Sequence, residues 1–321
     1  MDIAITGSIA YDYIMRFPGR FADQIVPDKI DRISLSFLVD EMTKHWGGVA
    51  ANIAYTLALL RQKPRPRLVG TVGRDFGDYR VWLETVGVDT SPVRQIDDVF
   101  TASFFVNTDV DNNQIASFYA GAMAYARQYT LADLLPAPPD LVVISPNDPL
   151  AMQQYVDECH ARGIAFMYDP SQQVARFGGE PLRHGIDRAH ILICNEYEFE
   201  LIIQKTGLTR EAIIDRVPVV VVTLGEKGSR IYAEGQAIDV PIFPPERIAD
   251  PTGVGDAFRA GLLRGLSAGW DWELCGRVGA LCAAYVLERV GTQSHRFTPQ
   301  EFVTRFRTRF DDEGQLNCLL D

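Results

Sequence analysis

The segment Ala249-Asp250-Pro251-Thr252-Gly253-Val254-Gly255-Asp256-Ala257-Phe258-Arg259-Ala260-Gly261 sets a carboxylate directly after a glycine turn that opens a helix. Gly253 and Gly255 allow successive backbone N–H groups to converge, and the positive end of the following helix favours an anion there. Asp256 beside such an anion is suited to take the proton of a hydroxyl that attacks a phosphoryl group. Taken alone, the same residues also fit a plain helix start in which glycine and aspartate serve only as caps.

A second glycine segment, His45-Trp46-Gly47-Gly48-Val49-Ala50-Ala51-Asn52-Ile53-Ala54-Tyr55-Thr56-Leu57-Ala58-Leu59-Leu60, reads as a turn feeding an apolar helix. Gly48 and Asn52 lie four apart, so backbone approach and an amide donor share one face. The two segments together resemble the signature motifs of the PfkB (ribokinase-like) family of carbohydrate and nucleoside kinases: Gly-Gly-x-x-x-Asn near the start and Asp-Thr-x-Gly-Ala-Gly-Asp near the end. The first match is complete. The second departs at Pro251 and Val254 but keeps Asp250, Gly253, Gly255 and Asp256. The resemblance spans almost the whole chain.

This resemblance implies a kinase using ATP and Mg2+, with Asp256 as general base and the Gly253, Val254 and Gly255 amides as an anion hole. Asp12, in Ser8-Ile9-Ala10-Tyr11-Asp12, is implied to bind the vicinal ribose hydroxyls, with Ser8, Ser36, Gly47, Gly48 and Asn52 beside it. Ser34-Leu35-Ser36-Phe37, Phe17-Pro18-Gly19-Arg20-Phe21, Gln114-Ile115-Ala116-Ser117-Phe118-Tyr119 and Asp169-Pro170-Ser171-Gln172-Gln173-Val174-Ala175-Arg176 are similar to the bacterial adenosine kinases of the family. The implied acceptor is therefore the 5′-hydroxyl of adenosine, with Phe104 and Phe118 on the base and Arg176 near the phosphate or base. Within the family, ribokinase or a kinase of another nucleoside stays open. Outside it, a nucleoside-binding sensor or a dinucleotide oxidoreductase stays open, although no G-x-G-x-x-G follows the first strand.

On the nucleotide side, Val219 to Tyr232 reads as a strand ending at Thr223, a glycine turn Gly225-Glu226-Lys227-Gly228 and a second strand; the turn lacks Walker A spacing and resembles the family's phosphate-lining segment, and it equally fits a plain hairpin. Asn195 and Glu198 resemble its Asn-x-x-Glu element, which places magnesium through water; they equally fit an N-cap with a capping-box acid. The family also implies a potassium site of carbonyls near Asp250 and Thr252, with a loop around Val290 to Gln293. Asp75-Phe76-Gly77 mimics a protein-kinase element without its partners and lies instead in a glycine and aspartate loop, Gly73-x-Asp75-x-x-Asp78.

The elements that must hold these residues follow from periodicity. Short apolar runs at Met1–Gly7, Leu68–Val72, Leu141–Ser145, Phe166–Asp169, His190–Cys194 and Val217–Thr223 alternate with helical stretches, predicting a doubly wound α/β sheet in one domain spanning residues 1–321. Two regions, about 11–43 and 100–119, break that rhythm and predict a small separate β-sheet, which the family resemblance implies is a lid. Asp109-Val110-Asp111-Asn112-Asn113 predicts a hairpin turn that would set Phe104 opposite Phe118, as mutual packing or as a ligand clamp. A lid with open edges and one apolar face predicts a homodimer paired through it.

Composition narrows the partners. With 321 residues and 47% hydrophobic content the chain can fill a large core. A net charge of −11 argues against nucleic acid. Five cysteines form no C-x-x-C pair and the five histidines show no metal-ligand spacing. No membrane span or secretory segment is visible, so the expectation is a cytoplasmic protein with a small substrate.

Overall fold

The computed structural model describes residues 1–25, 32 and 34–320. Its strands in chain order are β1 (Ile3–Thr6), β2 (Ala10–Arg16), β3 (Glu41–Gly47), β4 (Arg67–Gly73), β5 (Val93–Ile96), β6 (Ala102–Thr108), β7 (Gln114–Tyr119), β8 (Leu141–Ile144), β9 (Ala165–Tyr168), β10 (Ile191–Asn195), β11 (Val219–Thr223), β12 (Ser229–Ala233) and β13 (Gln236–Val240). All six apolar runs read from the sequence are strands of one nine-stranded sheet, ordered β13-β12-β11-β10-β9-β8-β1-β4-β5.

The sheet is parallel from β11 to β5, but β12 and β13 join it antiparallel, so it is mixed rather than wholly parallel. The connections explain this: turns of a few residues join β11 to β12 and β12 to β13, too short for the crossover a parallel partner needs. Alternation along the central strands feeds two cores. Ile3, Ile5, Leu141 and Val143 face one, while Ala4, Val142 and Ile144 face the other, as a sheet covered on both faces requires.

The helices that matter here are α1 (Val49–Leu59), α2 (Gly77–Val86), α3 (Pro149–Arg162), α4 (Glu196–Thr206), α5 (Val254–Ala268) and α6 (Trp272–Leu287). Asp148, Asn195 and Asp271 cap α3, α4 and α6 by accepting first-turn N–H groups. α1, α5 and α6 contribute to the core that holds Ile3 and Ile5, α3 and α4 to the opposite one.

A second sheet of four strands, β3-β2-β6-β7, stands apart from the first. β2 pairs parallel with β6, the other neighbours antiparallel. The first lid segment lies partly outside the described residues, and its second strand, β3, runs on to Gly47, past the expected end at 43. Asp109 builds the hairpin turn, accepting the N–H groups of Asp111 and Asn113 at 2.9 Å each and that of Phe21 at 3.0 Å. Among the described residues no helix is long and apolar enough to cross a membrane, and no cluster of three or more His, Cys, Asp or Glu could hold a metal. The five cysteines are free.

Candidate active site

α5 starts at Gly253, whose φ of 80° lies in the left-handed region that favours glycine. Gly253 brings no capping side chain, and among the described residues no other side chain accepts a first-turn N–H of this helix. A Cβ at Gly253 would come within 2.9 Å of the Thr292 side chain, because the 290–293 loop packs against the turn. Asp250 ties the two loops together, its oxygens accepting the N–H of Thr252 at 2.9 Å and of Gly291 at 3.1 Å. Burial opposes ionisation of Asp250, but these bonds hold its carboxyl below the usual range. The Val254 N–H makes a long 3.4 Å bond to the Pro251 carbonyl.

Asp256, in the first turn of α5, is half-buried. Burial pushes its carboxyl up to about 7, helped by the charges of Asp169 and Asp12 and opposed by Arg259 and a hydrogen bond from Asn52. That bond runs from Asn52 Nδ2 to Asp256 Oδ2 at 2.8 Å. Asn52 is itself buried on α1, and its Oδ1 lies 2.9 Å from both Thr292 Oγ1 and Gln293 Nε2.

The lid presents its candidates in one row. β2 pairs Asp12 with Phe104 on β6, and Phe104 pairs with Phe118 on β7, so all three side chains project from the same face. Phe104 thus stands opposite Phe118, as the turn predicted. Among the described residues no ring contact joins the two, whereas Tyr13 and Phe105 on the other face stack at 4.8 Å. Phe118 is 52% exposed. Asp12 occupies space that only glycine leaves free: a Cβ at Gly47 would sit 2.5 Å from its Oδ2. Burial, then the charge of Asp250, pushes the Asp12 carboxyl up to about 6.

Other sequence candidates are placed less uniformly. Ser8 Oγ accepts the N–H of Val49 at 3.0 Å, capping α1, while its hydroxyl hydrogen stays available to donate. Gly48 is the N-cap residue of that helix. Ser36 and Arg176 are exposed. Asn195 and Glu198 form a reciprocal capping box, with the Glu198 N–H donating to Asn195 Oδ1 at 2.7 Å and the Asn195 N–H to Glu198 Oε2 at 2.9 Å. Burial raises the Glu198 carboxyl. Thr223 ends β11, and Gly225 and Gly228 flank the turn into β12.

Several residues escaped sequence reasoning. Arg259, on α5, is buried with Asp169, and Nη2 donates to Asp169 Oδ1 at 2.7 Å and to Ser171 Oγ at 3.1 Å. Nε approaches Asp169 Oδ2 to 2.6 Å as an ion contact off the hydrogen-bond line. An arginine inside the apolar run Ala257-Phe258-Arg259-Ala260-Gly261 was the available signal, since such a charge is seldom buried unpaired. Thr292 and Gln293 meet the Asn52 amide, and Gln293 in turn bonds Tyr79 and Trp82; nothing in their spacing announces this.

The arrangement fits a nucleotide with its metal. An uncapped helix start with a buried arginine beneath it favours phosphate oxygens, since a Cβ at Gly255 would lie 2.8 Å from Arg259 Nη1. The capping bonds engage one oxygen of Glu198, leaving the other for a metal-bound water. Both Asp250 oxygens already accept N–H groups, so a potassium ion would draw on the neighbouring carbonyls.

Comparison with known proteins agrees with this geometry. The sequence profile of the pfkB family carbohydrate kinases matches residues 6–299. A nucleoside kinase of Methanothermobacter thermautotrophicus is 32% identical over 316 residues, covering 97% of each chain. The structure of Burkholderia thailandensis nucleoside kinase in complex with inosine superposes with a TM-score of 0.84 at 37% identity, over 96% of this chain and 98% of that one. Methanocaldococcus jannaschii nucleoside kinase gives 0.84 at 28% identity, over 96% and 99%. The fold is ribokinase-like, and the chain belongs to the pfkB family of carbohydrate kinases.

Proposed function

We propose that this protein is a nucleoside kinase that transfers the γ-phosphoryl group of ATP to the 5′-hydroxyl of adenosine. The observation that carries the reading is the Asp256 carboxylate, half-buried at an uncapped helix start and near enough to Asp12 to feel its charge. A proton acceptor near neutrality beside an anion site is what hydroxyl phosphorylation needs.

In this reading Asp12 accepts hydrogen bonds from both ribose hydroxyls, and Ser8, Ser36 and the Gly47–Gly48 turn line the sugar. Phe104 and Phe118, which leave each other unstacked, take the flat purine between them. Asn52 holds Asp256 in place, and Asp256 removes the 5′-hydroxyl proton. The α5 amides from Gly253 to Gly255 receive the negative charge that develops. ATP with Mg2+ supplies the phosphoryl group and neutralises its oxygens, lined by Asn195, Thr223, Gly225 and Gly228, with Glu198 holding metal-bound water. Arg176 closes over the phosphate or the base, and potassium would sit near Asp250 and Thr252. The stacking surface is indifferent to the 6-substituent, so inosine belongs among the acceptors beside adenosine; the inosine bound to the Burkholderia thailandensis enzyme supports this.

The apolar, unpaired edge of β7, with Ile115, Phe118 and Tyr119 exposed, supports a homodimer formed lid to lid. The deciding experiment is a panel of nucleosides and free ribose with ATP, following ADP release. Rapid turnover of adenosine and inosine with slow turnover of ribose supports the reading. Preference for ribose points to a sugar kinase, and binding without ADP release to a sensor.

A further inference from the structure

Asn52 can help Asp256 only if its amide presents nitrogen, and not oxygen, to the carboxylate. Its own surroundings decide this. Gln293 Nε2 lies 2.9 Å from Asn52 Oδ1 and also donates to the Tyr79 hydroxyl, while Gln293 Oε1 accepts the indole N–H of Trp82 at 3.1 Å. An indole nitrogen donates and never accepts, so Gln293 must turn its oxygen to Trp82 and its NH2 to Asn52. Asn52 must then turn its oxygen to Gln293 and its NH2 to Asp256. Gln293 and Asn52 are at most 4% exposed, so water does not offer an alternative partner.

We propose that Trp82 and Gln293 are positioning residues that fix which end of the Asn52 amide meets Asp256, through an unbroken series of hydrogen bonds from the indole N–H to the carboxylate. The proposal rests on the reading of Asp256 as the base. Neither touches the reacting atoms; the series runs from α2 through the 290–293 loop and α1 to α5. Thr292 does not set the orientation, since its single hydroxyl hydrogen is shared between the Trp46 carbonyl at 2.8 Å and the Asn52 oxygen at 2.9 Å. A reversed Asn52 would set a carbonyl against the carboxylate and favour its protonated form.

The test is the titration of the Asp256 carboxyl, followed by 13C NMR in the unliganded protein and by the acid limb of kcat/KM for adenosine. Trp82→Phe deletes the indole N–H and keeps an aromatic ring; Gln293→Met deletes the amide without adding charge. The charged and titratable groups that face Asp256 are Arg259 on its own helix, Asp169 after β9, Asp12 on β2 and Tyr79 on α2; neither variant replaces them, and only Gln293→Met removes a bond to one of them, the Tyr79 hydroxyl, so Trp82→Phe is the cleaner test. The expected result is an upward move of about one unit in both readouts, with the melting temperature of at least one variant near that of the unaltered protein. Titration unchanged in a folded variant overturns the proposal. Should neither variant fold, exchange of the Trp82 indole proton in the unaltered protein decides: slow exchange supports the bond to Gln293, and exchange at the rate of a free indole overturns it. The NMR titration needs no substrate, so a protein that phosphorylates no nucleoside would defeat the functional reading while leaving this one testable.

Discussion

Asn52 Nδ2 donates to Asp256 Oδ2 at 2.8 Å across 204 positions of sequence. The bond joins the first turns of α1 and α5, each of which begins at a glycine. Two distant motifs therefore form one device, and changes at its two ends have different consequences.

Asp256→Asn keeps size and hydrogen bonding but loses proton affinity. Turnover of adenosine should fall roughly 10²-fold or more while the nucleoside still binds, measured by steady-state kinetics and calorimetry. Near-normal turnover would remove Asp256 from its role.

The pH dependence has two parts. The proposed mechanism needs the ionised carboxylate, so kcat/KM should rise with pH through about 7, the value to which burial pushes Asp256. Stability should move the other way. The folded state holds this proton up to about pH 7 and the unfolded chain releases it near 4, so the site loses stability as pH rises through that window. Asp256→Asn should accordingly be more stable than the unaltered protein at about pH 8.5, by on the order of 2 kcal/mol, with the gap closing toward about pH 4. Equal denaturation midpoints at both pH values would contradict this.

Phe104→Ala or Phe118→Ala should raise the adenosine KM about tenfold or more, since stacking on a base is worth about 1–3 kcal/mol. Free ribose has no base, so any weak activity on it should stay nearly unchanged. Equal losses on both acceptors would mean the rings only stiffen the lid.

Gly47→Ala places a methyl group 2.5 Å from the present position of Asp12 Oδ2. The carboxylate is the movable end of its side chain and should shift aside. The expected outcome is a rise in nucleoside KM of roughly tenfold with a melting temperature within a few degrees of the original. Loss of folding without any change in KM at permissive temperature would place the constraint elsewhere.

Sedimentation across the micromolar range checks the lid-to-lid dimer. A two-fold dimer is expected, and Ile115→Lys on the open β7 strand should dissociate it. A monomer at every concentration for the unaltered chain excludes this mode of assembly.

The sheet was legible because its strands are short apolar runs set between helical stretches, and periodicity reports such patterns directly. The opposition of Phe104 and Phe118 was legible for a similar reason, since the Asp109–Asn113 turn fixes strand register. The hairpin of β11 and β12 was legible because a glycine turn separates two apolar runs, whereas the last edge strand, β13, was hidden because its exposed, polar residues carry little apolar signal. The surroundings of Asn52 were invisible because Tyr79, Trp82, Thr292 and Gln293 converge from distant segments through tertiary packing. Arg259 was overlooked although a charge in an apolar helix stripe is itself a sign of a buried partner.

Ala10, Gly47 and Ala102 are cross-strand neighbours at the foot of the lid, where β2, β3 and β6 leave or meet the body. Asp12, Phe104 and Phe118 lie beyond that line of small residues, and Asn52, Asp256 and Arg259 lie before it. Heritable change can therefore act on the two sides separately. In the proposed mechanism, substitutions among the lid aromatics would alter which acceptor is held without touching Asp256 or the start of α5, so a lineage could acquire new substrates while inheriting its chemistry intact.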